Sequence, residues 1–198
     1  RLLDFSFEVH VVDALGLARL FKTLHDCPNP VIARIHGAGF GGGVGLISAC
    51  DFAVSVESAG FALTEVKLGL LPAVISPFVL KKTPASAAQR YFLTAEKFDA
   101  HEAHRLGLLS DVVSDEFALD QWIADRISAL LANGPEAVAQ SKVLINNVLA
   151  FQWEEAMKLT SQMIAGRRVS EEGQEGMRSF LEKRKPNWVQ EDSLSPSK

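Results

Sequence analysis

The sequence predicts an α/β chain that turns all-helical toward its C-terminus. Three observations carry this. Short β-branched runs alternate with a glycine-dense loop and helical stretches up to about residue 115. From Glu116 onward every segment has helical periodicity. Hydrophobic residues make up 47% of the 198, with a mean hydropathy of +0.11, which is enough apolar surface to offset chain entropy and exclude a wholly disordered chain. Residues 1–115 are therefore expected to form a core and residues 116–198 a helical region.

Taken in order, Val11, Val12, Leu15, Ala18, Leu20, Phe21 and Leu24 fall at helical spacing and predict an amphipathic helix over 8–26. Cys27-Pro28-Asn29-Pro30 ends it. Val31 to Ile35 is a short β-branched run and reads as a buried strand. A glycine-dense loop follows over 37–43, then a short helix from Val44 to Cys50 and a strand from Asp51 to Val56. Phe61 to Leu63 is a brief third strand. After Leu71-Pro72 the spacing is helical over 74–82, 85–93 and 100–106, with Gly107 as a C-terminal stop, and Asp111-Val112-Val113 is a last strand. Four helices are expected over 117–132, 136–149, 152–165 and 170–184, broken by Asn133-Gly134-Pro135, by a stop near Phe151, and by Gly166. The polar tail after Pro186 is expected to fray.

Composition narrows the function classes. Twenty Lys and Arg against 24 Asp and Glu leave a net charge of −4, so no basic excess supports nucleic-acid binding. No apolar run approaches the roughly 18 residues of a membrane span. Two cysteines, Cys27 and Cys50, make no disulfide framework, and a reduced, cytoplasmic compartment is expected. The opening Arg1-Leu2-Leu3-Asp4-Phe5 has no signal-peptide pattern and reads as a start within a longer segment.

Four motifs bear on chemistry. Gly37-Ala38-Gly39-Phe40-Gly41-Gly42 follows a strand and precedes a helix, the setting of a dinucleotide-binding loop, with Glu57 near the end of the next strand. The following helix is short and no further alternating units follow, which counts against that reading. The same loop can serve as a tight turn needing positive φ, or can aim backbone N–H groups at a phosphate or a polarised carbonyl. Glu65, flanked by Leu63, Val66 and Leu68, is a partly desolvated carboxylate suited to proton transfer, or else a solvated or lysine-paired one. His101-Glu102-Ala103-His104 has i, i+3 spacing, not the i, i+4 of a zinc helix, and reads as a solvated face. His36 is structural, and Cys50 a small buried hydrophobe. The cations after Phe180 complement a helix C-terminus or grip ligand phosphates.

Together these pieces resemble the enoyl-CoA hydratase/isomerase (crotonase) family, from about Pro30 to Trp188. The resemblance rests on Pro30-Val31-Ile32-Ala33 leading to Gly41-Gly42-Gly43, on Ala49-Cys50-Asp51, and on Phe61 through Glu65 with Leu68-Gly69 and Pro72. It continues through Leu93-Thr94-Ala95, Ala103 with Gly107-Leu108, and Glu175-Gly176-Met177 with Phe180 to Arg184. Thr64-Glu65-Val66, Leu70 to Pro77 and Gly166 to Glu172 look most like bacterial methylglutaconyl-CoA and isohexenylglutaconyl-CoA hydratases, enzymes of leucine and acyclic terpene breakdown.

The resemblance implies a crotonase-like ββα superhelix with a C-terminal helical trimerisation region, assembling as a homotrimer or dimer of trimers. It implies an acyl-CoA substrate, with coenzyme A entering as part of the substrate and with no separate cofactor or metal. Gly42 falls on one of two backbone N–H donors of an oxyanion hole, with Gly41 and Gly43 beside it, and Glu65 on the glutamate that exchanges a proton with the substrate carbon skeleton. Phe180 and Lys183 fall on positions that reach coenzyme A.

Two departures stand out. Family hydratases usually carry a second glutamate two residues after the glycine triplet, where this chain has Gly45. That leaves single-glutamate hydration, Δ3–Δ2 isomerisation by Glu65, or a non-catalytic member of the fold as the alternatives. The family's opening strands and its loop with the other oxyanion donor have no counterpart before Arg1. Loss of one such donor costs about 10²–10³ in rate, so the 198 residues alone are expected to be poorly stable or weakly active.

Overall fold

The computed structural model describes residues 5–189; the opening Arg1 to Asp4 and most of the tail expected to fray lie outside them. The chain divides into two compact units, Arg1–Ile123 and Ala124–Lys198.

The first unit begins with α1 (Phe7–His25), which starts where the Ser6 hydroxyl accepts the Val9 N–H at 3.5 Å. The strands β1 (Ile32–Ile35), β2 (Gly39–Phe40), β3 (Phe52–Val56), β4 (Gly60–Ala62), β5 (Phe98–Asp99) and β6 (Asp111–Val113) form two three-stranded sheets. One is parallel, in the order β1-β3-β6, with Ile32 opposite Phe52 and Val54 opposite Asp111. In the other, β4 pairs parallel to β2 through Gly39 and Phe61, and antiparallel to β5 through Phe61 and Phe98. Between the strands run α2 (Gly42–Ala49), α3 (Ser76–Lys82), α4 (Ala85–Thr94) and α5 (Ala100–Arg105). The core is apolar and closed: Phe21, Val44, Phe61, Leu108 and Leu119 are fully buried. Helix α6 (Glu116–Leu131) runs from the first unit into the second.

The second unit adds α7 (Pro135–Ala150), α8 (Trp153–Val169) and α9 (Glu171–Leu181). Its joints are polar. The Glu172 carboxylate accepts the Glu136 and Ala137 N–H groups, each at 2.8 Å, and so closes the first turn of α7. The Arg167 guanidinium holds Glu172 at 2.8 Å and Glu136 at 2.6 Å.

Several sequence expectations shift. The glycine loop is shorter than 37–43, because Gly39–Phe40 is a strand and α2 begins at Gly42 rather than Val44. The strand β5 has no signal in its own two residues; its partner is β4, distant in the chain. Gly166 breaks nothing: α8 continues to Val169, and the stop is Ser170, which accepts the Gly173 N–H as the N-cap of α9. A Cβ at Gly173 would meet Arg167 O at 1.9 Å, so close backbone approach gives that glycine its place. The tail does not fray at once after Pro186, since the Trp188 indole N–H donates to Ala132 O and its ring packs on Gly176.

Candidate active site

Glu65 reaches its position through three successive constraints. Strand β4 is pinned by Phe61, which stacks on Phe98 with centroids 5.8 Å apart. Gly39 lets β2 come close, since a Cβ there would sit 3.0 Å from Ile47 Cδ1 and 3.1 Å from Phe61 Cδ1. Beyond the buried Leu63, the chain enters a 3₁₀ turn, Glu65–Leu68, which Gly69 ends with φ 71° and the Leu70 N–H ties back to Glu65 O at 3.1 Å.

That turn brings Glu65 against the glycines heading α2. Gly41 has φ 49° and ψ −117°, a conformation open to glycine, and a Cβ there would meet Glu65 Oε1 at 3.3 Å and Thr64 Oγ1 at 3.6 Å. Glu65 Oε2 is buried with no hydrogen-bond partner. A buried polar atom left unsatisfied is costly in a resting fold and asks for a reason.

The Gly41 N–H is taken by Ala62 O at 2.9 Å, and the Val44 and Gly45 N–H groups by Gly41 O. Gly42 and Gly43 head the helix, and among the described residues their N–H groups meet no backbone carbonyl outside it. A Cβ on either would meet nothing within 4 Å. The space beside both α-carbons is therefore open, and the helix dipole adds positive character at this end. A cleft of about 440 Å³ runs alongside, lined by His36, Gly37, Ala38, Gly43, Leu46 and Cys50 among others. At the other end of α2 the Lys82 ammonium donates to Cys50 O at 2.6 Å, and burial holds its pKa below the ordinary lysine value.

Of the residues singled out from sequence, Gly41, Gly42, Gly43 and Glu65 come together in the first unit. Phe180 and Lys183 belong to the second. Phe180 is 82% exposed near the end of α9. Lys183 is exposed and left-handed, with φ 55°, where the Lys183 N–H to Phe180 O and Arg184 N–H to Ser179 O bonds close the helix. Arg184 is committed to Glu175, at 2.6 and 2.9 Å, and to Glu182. In the histidine motif His101 and His104 are exposed, as expected, and Glu102 binds Arg105 and Tyr91, which hold its pKa down at about 2. Among the described residues no three or more acidic, histidine or cysteine side chains cluster as a metal site would need, and no helix is long and apolar enough to cross a membrane. Sequence reasoning missed Ile75, buried against Gly45; its neighbour is 30 residues away in the chain, so no local pattern could reveal it.

Comparisons with known proteins place the chain in a family. The model of the enoyl-CoA hydratase/isomerase family matches residues 12–191. An enoyl-CoA hydratase of Alternaria alternata, ACTT6, is 42% identical over 130 residues, 66% of this chain and 44% of that protein. The crotonyl-CoA hydratase of Syntrophomonas wolfei is 34% identical over 188 residues, 93% of this chain and 70% of that protein. The crystal structure of an enoyl-CoA hydratase from Shewanella pealeana superposes with a TM-score of 0.88 at 44% identity, covering 94% of this chain and 69% of that one. The chain thus spans under half the length of some relatives it matches. By its matched residues and its crotonase fold, the chain belongs to the enoyl-CoA hydratase/isomerase family.

Proposed function

We propose that this chain carries the catalytic carboxylate of a lyase that adds water to a 2-enoyl-CoA thioester. One observation carries the reading: Glu65 stands beside the head of α2 with Oε2 buried and unbonded, next to open N–H groups at Gly42 and Gly43. The thioester oxygen accepts from the Gly42 N–H. As the water oxygen bonds to C3, the C2–C3 π pair shifts to between C1 and C2 and the carbonyl π pair moves onto the thioester oxygen, and fixed amides stabilise that charge better than water does. Glu65 takes the proton from the attacking water and returns it to C2 as the enolate collapses, so water is added and the carboxylate is regenerated. No metal or redox step enters, and coenzyme A is part of the substrate. Phe180 and Lys183 are assigned to the coenzyme A portion, and Gly41 and Gly43 to shaping the thioester site.

Within this class a branched, carboxylated acyl group of the methylglutaconyl type fits the single carboxylate, because the substrate's own carboxylate can help hold the water. Gly45 also favours a second reading, Δ3–Δ2 isomerisation, in which Glu65 removes a C2 proton and returns it to C4. The exposed apolar side chains of the second unit, among them Leu149, Trp153 and Val169, support assembly with further copies, as a homotrimer or dimer of trimers.

The test is Glu65→Gln. Hydratase turnover on a panel of 2-enoyl-CoA thioesters should fall about 10²–10⁴-fold, with the melting temperature unchanged. Full retained activity would sink the assignment. Two substrates in ¹⁸O-water separate the readings: label taken up into product from 2-enoyl-CoA supports hydration, and conversion of 3-enoyl-CoA to 2-enoyl-CoA without label supports isomerisation.

A further inference from the structure

We propose that Ile75 is a positioning residue that keeps the Glu65 site at one carboxylate, by occupying the space any side chain at position 45 would need. The proposal rests on the function proposed above. Gly45 lies one turn beyond Gly41, on the same side of α2. Helical side chains lean toward the N-terminus, so a residue at 45 would lean back over the turn where Gly41 meets Glu65.

That space is filled. A Cβ at Gly45 would lie 2.3 Å from Ile75 Cγ2, 2.9 Å from Ile75 Cβ and 3.1 Å from Phe21 Cζ. Ile75 is 2% exposed and Phe21 1% exposed. The Ile75 Cβ is fixed by its backbone at the start of α3, and its branched side chain is stiff at χ1. Rotation therefore cannot relieve the contact. Gly45 also lacks the positive φ that would explain a glycine, and glycine weakens a helix interior. The facing Ile75 supplies the reason for it. Gly42 and Gly43 are the contrast, with open space at the same helix head.

The consequence is chemical. With an aliphatic group packed over position 45, Glu65 has no second protein carboxylate from that position to share the work of orienting water and delivering a proton. A carboxylate introduced at 45 becomes possible only when Ile75 is cut back.

The experiment uses the full chain in its native assembly and five variants: Gly45→Ala, Ile75→Ala, Gly45→Ala/Ile75→Ala, Gly45→Glu and Gly45→Glu/Ile75→Ala. Gly45→Ala should lower the melting temperature by about 5 °C or more when Ile75 is present. The same change should cost less than half as much in the Ile75→Ala background, which is the signature of coupled neighbours. Gly45→Glu alone should be the most destabilised. With crotonyl-CoA as the probe, the kcat/KM pH profile of the folded Gly45→Glu/Ile75→Ala protein should gain a second ionisation on its acid limb, while Ile75→Ala keeps one. Equal costs of Gly45→Ala in both backgrounds, or an unchanged melting temperature for Gly45→Glu, overturn the proposal. So does a one-ionisation profile in the folded carboxylate variant. Wild-type protein that turns over no 2-enoyl-CoA, with the thermal coupling intact, overturns the enoyl-CoA reading instead and leaves the exclusion at position 45 standing.

Discussion

The two units are held together by different forces. In the first, the joints are apolar: Phe21, Val44, Phe61, Val79 and Leu119 have essentially no exposure, and the strands that carry Glu65 are locked by Phe61 between Gly39 and Phe98. In the second, the buried residues among those described are Gly134, Ala156 and Ser179, while Leu149, Trp153, Val169, Phe180 and Leu181 lie open. Its joints are ionic and capping bonds centred on Glu172 and Glu175. A close-packed core resists any change in volume, which suits a unit that carries the proposed site of a carboxylate and two amides. A charge-jointed helical unit with open apolar faces draws little stability from burying them within the chain, which fits the assembly proposed above.

The sharpest way to break this contrast is to remove one core ring. Phe61→Ala should cost about 3–5 kcal/mol by denaturant melting, since the cavity opens between two sheet partners and β2 loses its rest. A cost near zero would mean that the first unit is not held as described. In the second unit, Glu172→Gln should cost about 1–3 kcal/mol, because two N–H groups of α7 lose their carboxylate acceptor. Amide exchange should speed up at Glu136 and Ala137 and stay unchanged in β3. Uniform acceleration in both regions would contradict a local cap.

Acid titration probes both units at once. Glu102, held by Arg105 and Tyr91, and Glu175, held by Arg184, both lie at about 2, below the ordinary 4.5. As pH falls the unfolded chain takes up these protons first. The stability they contribute is therefore complete above about pH 5 and is lost progressively between the ordinary value and the folded one. Urea melts from pH 6 to pH 2 should show that loss, and Arg184→Met should flatten the part belonging to Glu175. The smallest effect is at Lys183. Replacing it with glycine removes the left-handed penalty of a residue with a Cβ and should stabilise the protein by about 1 kcal/mol. The same variant should weaken coenzyme A binding if the ammonium does grip it; titration calorimetry with coenzyme A checks this.

Much of the fold was legible locally. The periodicity of α1, the stop at Gly107 with φ 82°, and the β-branched runs of β1 and β3 all lie where their own residues put them. The strands β2 and β5 were not legible, because two residues carry no period and their pairing is with distant chain. Gly166 misled for a related reason: glycine inside a helix costs little enough that flanking residues carry the helix through it. At the site, the glycine triplet and Glu65 were legible as chemistry-bearing types. Their meeting was not, and neither was the cap that Glu172 sets on α7.

By itself, the sequence determined which residue types were available and where helices and strands begin, because propensity, period and turn chemistry act over a few neighbouring residues. Only the tertiary structure decided that one oxygen of Glu65 is sealed from water beside Gly41, and that Ile75 closes the space over Gly45. Burial and steric exclusion are properties of segments brought together across the chain. A carboxylate's environment and the room beside a glycine exist only once β4, α2 and the start of α3 have packed.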